Sequence, residues 1–242
     1  MVTSRTLSPA QREQNLLGQT LVVIGGSAGI GLETARLARE EGADVIITAR
    51  NPDPLHRAGL ELGASIAAFD TTDFDRLKRF FDVLPGPIDH VLVTGPGPYY
   101  APFAEFDIDE LRRDVEAHLL LPLEVARNAV GKVRPGGTLL FMGGTGGRRT
   151  APGLYFLSAL TAALPAMTKN LALELAPIRV NVIAAGFVDT PLSATLLGDQ
   201  LDARREQLRT TLPIRRVVGP TDIAALAIHI MTNTALTGAT FD

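Results

Sequence analysis

The chain has 242 residues, enough for one sizeable α/β domain with its own core, and its formal net charge is −3 with no basic patch standing out. That balance argues against nucleic acid as a partner, and 46% hydrophobic with 20% charged residues argues against disorder. Cysteine is absent, which excludes disulfides, thiolate catalysis and cysteine metal sites and suits a reducing cytoplasm.

The opening residues lack a signal-peptide core, and no apolar stretch is long enough to cross a membrane. Residues 1–17 read as a polar lead-in open to fraying. Short apolar runs follow: TLVVIG (20–25), DVIITA (44–49), ASIAAF (64–69), HVLVTG (90–95), GTLLFM (137–142) and VNVIAA (180–185). Runs this uniformly apolar predict strands covered on both faces. Helical patterns are expected near 29–41, 72–83, 107–130, 154–176 and 221–232. Gly42 is placed to end the first, and Asp107 with Glu110 forms a capping-box pattern opening the third. The alternation predicts an α/β chain: a three-layer Rossmann fold with a doubly wound parallel sheet of about seven strands, as one domain over 1–242. Residues 191–220 follow a strand end, where such folds bind ligands, and form a candidate substrate lid.

The first strand runs into GGSAGIG (25–31) and then a helix. Gly25 permits the tight turn, Gly29 lets backbone approach a pyrophosphate, and Gly31 lets the helix pack closely. The helix N-terminus then offers N–H groups to phosphate. This context predicts a dinucleotide site at Gly25, Ser27, Gly29, Ile30 and Gly31. An acid at the end of the second strand would mark NAD(H). Ala49 and Arg50 stand there instead. A guanidinium suits a ribose 2′-phosphate, so NADP(H) is favoured over NAD(H), unless Arg50 is simply a surface residue.

The turn is similar to the TGxxxGIG motif of short-chain dehydrogenases/reductases, with Ile24 where threonine is usual. TGPG (94–97) sits where that family has NNAG, RVNVIAAGFVDT (179–190) resembles RVNxxxPGxxxT with Ala185 replacing proline, and TKNLALELA (168–176) and LPIRRVVGPTDIA (212–224) also match. The resemblance runs from about residue 18 onwards. It implies that Asp70 contacts adenine, that Gly95 lies by the cofactor, and that Gly186, Val188 and Thr190 line its nicotinamide end. It also implies a homodimer or homotetramer, built on the helices near 107–130 and 154–176.

Ordinary members use an Asn-Ser-Tyr-Lys set. The flanking motifs put His118 at the asparagine position, Gly144 at the serine, Leu157 at the tyrosine and Thr161 at the lysine. The usual proton relay is therefore gone. Substitutes within reach are His118, which titrates near neutrality or else stands in for asparagine structurally, Thr145 beside the serine position, and Tyr155. Tyr155 should point away from the Leu157 direction and reads first as an aromatic at a helix entrance. Tyr99, Tyr100, Leu154 and Leu157 are expected to wall a mostly apolar substrate pocket. Pro122 and Pro165 each remove the helical partner of the carbonyl four residues earlier, those of His118 and Thr161. Either a hydrated pocket or two ordinary kinks would result. No metal site is expected, since His56, His90, His118 and His229 are scattered.

Together these features predict an NADPH-dependent oxidoreductase of atypical mechanism, passing hydride to a small apolar imine or activated carbonyl or enone. Two alternatives stay open: a non-catalytic cofactor-binding or scaffold protein, and an ordinary ketone/alcohol oxidoreductase with a rebuilt Tyr155/His118 acid–base pair.

Overall fold

The computed structural model describes residues 15–242. Among these, seven strands form one parallel sheet in the order β3-β2-β1-β4-β5-β6-β7. The strands are β1 (Thr20–Ile24), β2 (Asp44–Ala49), β3 (Ser65–Ala68), β4 (Ile88–Val93), β5 (Val133–Gly144), β6 (Arg179–Ala185) and β7 (Thr240–Phe241). Alternate residues of each strand feed opposite cores, as the two-residue period requires. Val22, Ile24, Val91, Leu139, Phe141 and Val180 face one layer, made by α3 (Phe74–Val83), α5 (Leu121–Ala129) and α6 (Tyr155–Glu174). Leu21, Val23, Val45, Ile47, Leu92 and Leu140 face the other, made by α1 (Gly29–Glu40), α2 (Pro52–Leu62) and α9 (Pro220–Thr232). The order reverses direction on either side of β1, so the crevice past β1 and β4 is the switch point where such sheets bind ligands.

Several boundaries differ from those expected. Helix α2 was not anticipated; Asn51 caps it, prolines occupy its first turn, and Gly63 closes it in the left-handed region at φ 59°. The continuous helix expected over 107–130 is instead α4 (Ile108–Val115), a π turn at Glu116–Leu120 and α5. The π turn falls where Pro122 removes an N–H, and Leu121 N–H reaches the Glu116 carbonyl five residues back. Helix α6, in contrast, runs through Pro165 unbroken. The Asp107 carboxylate caps α4 by accepting from Asp109 N–H at 2.7 Å. Gly42, at φ 87°, ends α1 as expected. Of the lead-in expected to fray, residues 1–14 lie outside the described residues. Residues 15–17 do not fit that expectation, because Leu16 is fully buried and its N–H bonds the Glu41 carbonyl at 2.9 Å.

Candidate active site

The turn after β1 is built around absent side chains. Gly25 (φ 99°) and Gly29 (φ 57°) occupy the left-handed region. A Cβ on Gly31 would run into the Gly25 carbonyl oxygen, and one on Gly25 would strike Thr94. Gly31 is thus required for packing on the turn itself as well as on the sheet. Thr94, just past β4, locks the turn by donating to the carbonyls of Ile24 (3.1 Å) and Gly25 (2.9 Å). The first turn of α1 holds no acid and no side-chain cap, so its N–H groups and positive dipole end stay open. Ser27 and Ile30 are half-buried beside them. This cradle fits a pyrophosphate. Arg50 is exposed just beyond β2 and forms no ion pair with another described residue. Asp70 is exposed beyond β3, its carboxylate accepting from Thr72 N–H (3.0 Å) and hydroxyl (2.8 Å).

The loop after β6 reaches back over this cradle. Gly186 lies near Thr145, Val188 is buried, and Thr190 approaches Gly29. Thr190 also caps α7 (Pro191–Leu197) in a reciprocal pair with Ser193. On α8 (Leu201–Thr211), Arg205 grips the Asp189 carboxylate with two bonds of 2.9 and 2.8 Å. Leu192 of α7 packs against Gly97, so this segment spans from β6 to the turn after β4.

At the floor of the crevice stand His118, Leu157 and Thr161. With Met142, Leu160 and Leu164 they line a cavity of about 20 Å³. A space of roughly 10–15 Å³ of this kind admits one water. A wider hollow of about 220 Å³, bordered by Gly144, Gly147 and Arg148, meets it at Thr161. The Thr161 hydroxyl is turned inward to the Leu157 carbonyl at 2.9 Å. Gly144 ends β5 with Thr161 so close that a side chain there would crowd it. Thr145 offers its carbonyl to Arg148 and Arg149 N–H groups, both at 2.9 Å.

The His118 ring packs over Gly95, and its Nε2 lies 3.7 Å from an Asp114 carboxylate oxygen. Burial pulls the imidazole below its usual pKa, opposed by Asp114. Burial pushes the Asp114 carboxyl up, opposed by the Tyr99 N–H and by His118. Sequence reasoning missed Asp114; its four-residue spacing to His118 on one helix was the available signal.

The tyrosines divide. Tyr99 N–H donates to the Asp114 carboxylate, while its hydroxyl accepts from Asp107 N–H at 3.1 Å. Tyr100 is 46% exposed. Tyr155 begins α6 and stacks edge-on to Phe103 at 5.3 Å, with Phe106 also against it, whereas Leu157 faces the cavity. Desolvation, then Tyr99, pushes its hydroxyl above the usual tyrosine value. Leu154 precedes it as the N-cap residue. No group of three or more His, Asp or Glu that could hold a metal occurs among the described residues, and none of their helices is long and apolar enough to cross a membrane.

Residues 25–241 match a family model described as enoyl-(acyl carrier protein) reductase. The chain belongs to the short-chain dehydrogenase/reductase family. Among relatives of this family, the short-chain dehydrogenase/reductase ATR9 of Stachybotrys chlorohalonatus is 28% identical, over 93% of this chain and 95% of ATR9. The solved structure of the MalC reductase/Diels-Alderase from Malbranchea aurantiaca superposes with a TM-score of 0.88 at 26% identity, covering 95% of this chain and 96% of that one. BdcA in complex with NADPH gives 0.84 at 26% identity, covering 94% and 93%. The family is one of oxidoreductases, and the seven-stranded sheet described above is its Rossmann fold.

Proposed function

We propose that this short-chain dehydrogenase/reductase is an NADP(H)-dependent enzyme of atypical mechanism, reducing a small, mostly apolar imine or activated carbonyl or enone. One observation carries the reading: a complete glycine cradle opens onto a floor of Leu157, Thr161 and His118 that holds no tyrosine or lysine. NADPH, when bound, supplies a hydride with its electron pair. The residues that would hold it are Gly25, Ser27, Gly29, Ile30 and Gly31 at the pyrophosphate, Arg50 at the 2′-phosphate, Asp70 at adenine, and Gly95, Gly186, Val188 and Thr190 at the nicotinamide end. Tyr99, Tyr100, Leu154 and Leu157 would wall the acceptor, with the 191–220 segment excluding water as a lid. A simple ketone needs an acid and an oxyanion donor at its oxygen. A protonated imine carries its charge already and suffers less from their loss. The likeness to the MalC reductase/Diels-Alderase and to the NADPH complex of BdcA supports the reading. The exposed Ala159, Ala162, Ala163 and Ala166 on α6 support close helix packing in a homodimer or homotetramer.

Titration of the purified chain with NADPH and NADH, followed by nicotinamide fluorescence, tests the cofactor. NADPH should bind more tightly, and Arg50→Ala should lose at least about tenfold in NADPH affinity while leaving NADH unchanged, as expected for a charge-assisted contact. No binding of either at millimolar concentration would leave the fold as a scaffold. Tyr155→Phe should change turnover of the best acceptor by less than about twofold. A loss of about a hundredfold, the usual size of a general-acid contribution, would instead favour the rebuilt Tyr155/His118 pair.

A further inference from the structure

Asp114 is a deeply buried acid with no lysine or arginine partner among the described residues. It is 5% exposed, and its carboxylate accepts only the Tyr99 N–H, at 3.1 and 3.2 Å, beside His118 Nε2 at 3.7 Å. Among the described residues no lysine or arginine pairs with it. Its helix neighbours Arg112 and Arg113 turn to Asp109 and Glu110. The other ionisable groups acting on it are Glu110 on α4 and Tyr100 on the segment after β4, neither a cation. From β5 and α6, Met142, Leu157, Leu160, Leu164 and the neutral Thr161 share the cavity that His118 lines. Burial disfavours the charged form of the His118 ring, so the Asp114 side chain meets no fixed cation from that side.

Position adds to this. Helix α4 runs antiparallel to the strands, so its start lies at the carboxyl edge of the sheet, where β4 delivers residues 94–97. Asp114 is one turn, about 5.4 Å, nearer that edge than His118. A buried carboxylate without a cation is costly. A ligand cation seated over the crevice floor would relieve that cost.

The geometry points to Asp114 as a specificity-determining residue, selecting an acceptor that is already a cation, an iminium, over neutral carbonyls and enones. For turnover this rests on the oxidoreductase reading above; for binding it does not. Hydride addition forms one C–H bond at the iminium carbon and moves the C=N π pair onto nitrogen. The products are a neutral amine and NADP⁺, and no proton is consumed. Positive charge passes from acceptor to cofactor within the same crevice, so Asp114 attracts ground and transition states alike. Its loss should therefore raise KM more than it lowers kcat.

The test is calorimetric binding of N-methyl dihydroisoquinolinium, whose charge is fixed, and of its uncharged carbon isostere to the full chain without cofactor. The cation should bind on the order of tenfold more tightly, the size of a charge interaction across a partly screened site. Asp114→Asn should abolish the preference, and His118→Gln should keep it. Equal affinities in the unaltered chain, or a preference that survives Asp114→Asn, overturns the proposal. If thermal melts show that Asp114→Asn does not fold, the unaltered chain decides. Its preference must decline on acidification as Asp114 and His118 take up protons, and a flat ratio overturns the proposal equally. A chain that binds no NADPH yet prefers the cation would sink the oxidoreductase reading alone.

Discussion

Arg179→Met should cost about 3–5 kcal/mol of folding stability, read as a lowered urea midpoint with unchanged slope. Arg179 opens β6 and is 5% exposed, yet among the described residues it pairs with no carboxylate. Its Nε donates to the Gly136 carbonyl at 3.1 Å. Nη1 donates to the carbonyls of Ile230 (2.8 Å), Asn233 (3.1 Å) and Leu236 (3.2 Å). Nη2 donates to the Met231 carbonyl at 2.7 Å and the Thr138 hydroxyl at 2.5 Å. Four of these six acceptors cluster at the end of α9 and just beyond it, where carbonyls lack helical partners and the dipole is negative. The guanidinium is thus a buried cap tying β6, β5 and α9 together. Methionine fills much of the volume but leaves those carbonyls dry and unpaired. Arg179→Lys should recover only part of the loss, because an ammonium has three donors and no planar fork. A cost under about 1 kcal/mol for Arg179→Met would mean that water replaces the cap.

Acid should destabilise the chain steeply through His90. This residue lies mid-strand in β4 and is 3% exposed; burial, then Arg179, then Arg134, holds its pKa at about 3. Its Nε2 lies 2.7 Å from the Gln19 side-chain oxygen, so Nε2 carries the proton and donates, and Nδ1 is left without a partner. The folded state holds a neutral ring, while the unfolded chain protonates near the ordinary value of about 6.5. The contribution is therefore complete above about pH 6.5 and is lost as pH falls towards 3, at up to roughly 1.4 kcal/mol per pH unit. Near pH 4.5 that amounts to about 2–3 kcal/mol. His90→Leu should flatten this part of the stability–pH profile, leaving the carboxylates to set the remainder; an unchanged slope would refute the assignment. Arg179→Met should raise the His90 pKa by removing a neighbouring charge, so the two substitutions should not add.

Legibility followed the range of the forces involved. The six strand runs and the GGSAGIG turn were readable because burial on both faces and positive φ act on a few adjacent residues. Helix α2 had a local signature too: Asn51 as cap, Pro52 in the first turn and Gly63 at the end. Its prolines sit in the first turn, where the missing N–H costs nothing and the fixed φ favours a helix start. Strand β7 had none, for it is two residues long and exists only because Val182 and Ile183 pair with Thr240 and Phe241. Pro122 foretold a missing hydrogen bond, but not that a π turn would absorb it.

The sequence by itself determined the fold, the glycine cradle, the arginine that follows β2 and the leucine and threonine at positions 157 and 161, since each is a matter of residue identity at a fixed place in a β-α-β frame. Tertiary structure decided which polar groups lose their water. In the row of charges over 109–116, Asp114 is like its neighbours until the segment carrying Tyr99 folds over it and His118 closes beneath. Arg179 is one more basic residue until α9 ends against it. Desolvation depends on surfaces brought together from distant parts of the chain, and it is desolvation that turns an ordinary charge into a cap, a titrating switch or a binding determinant.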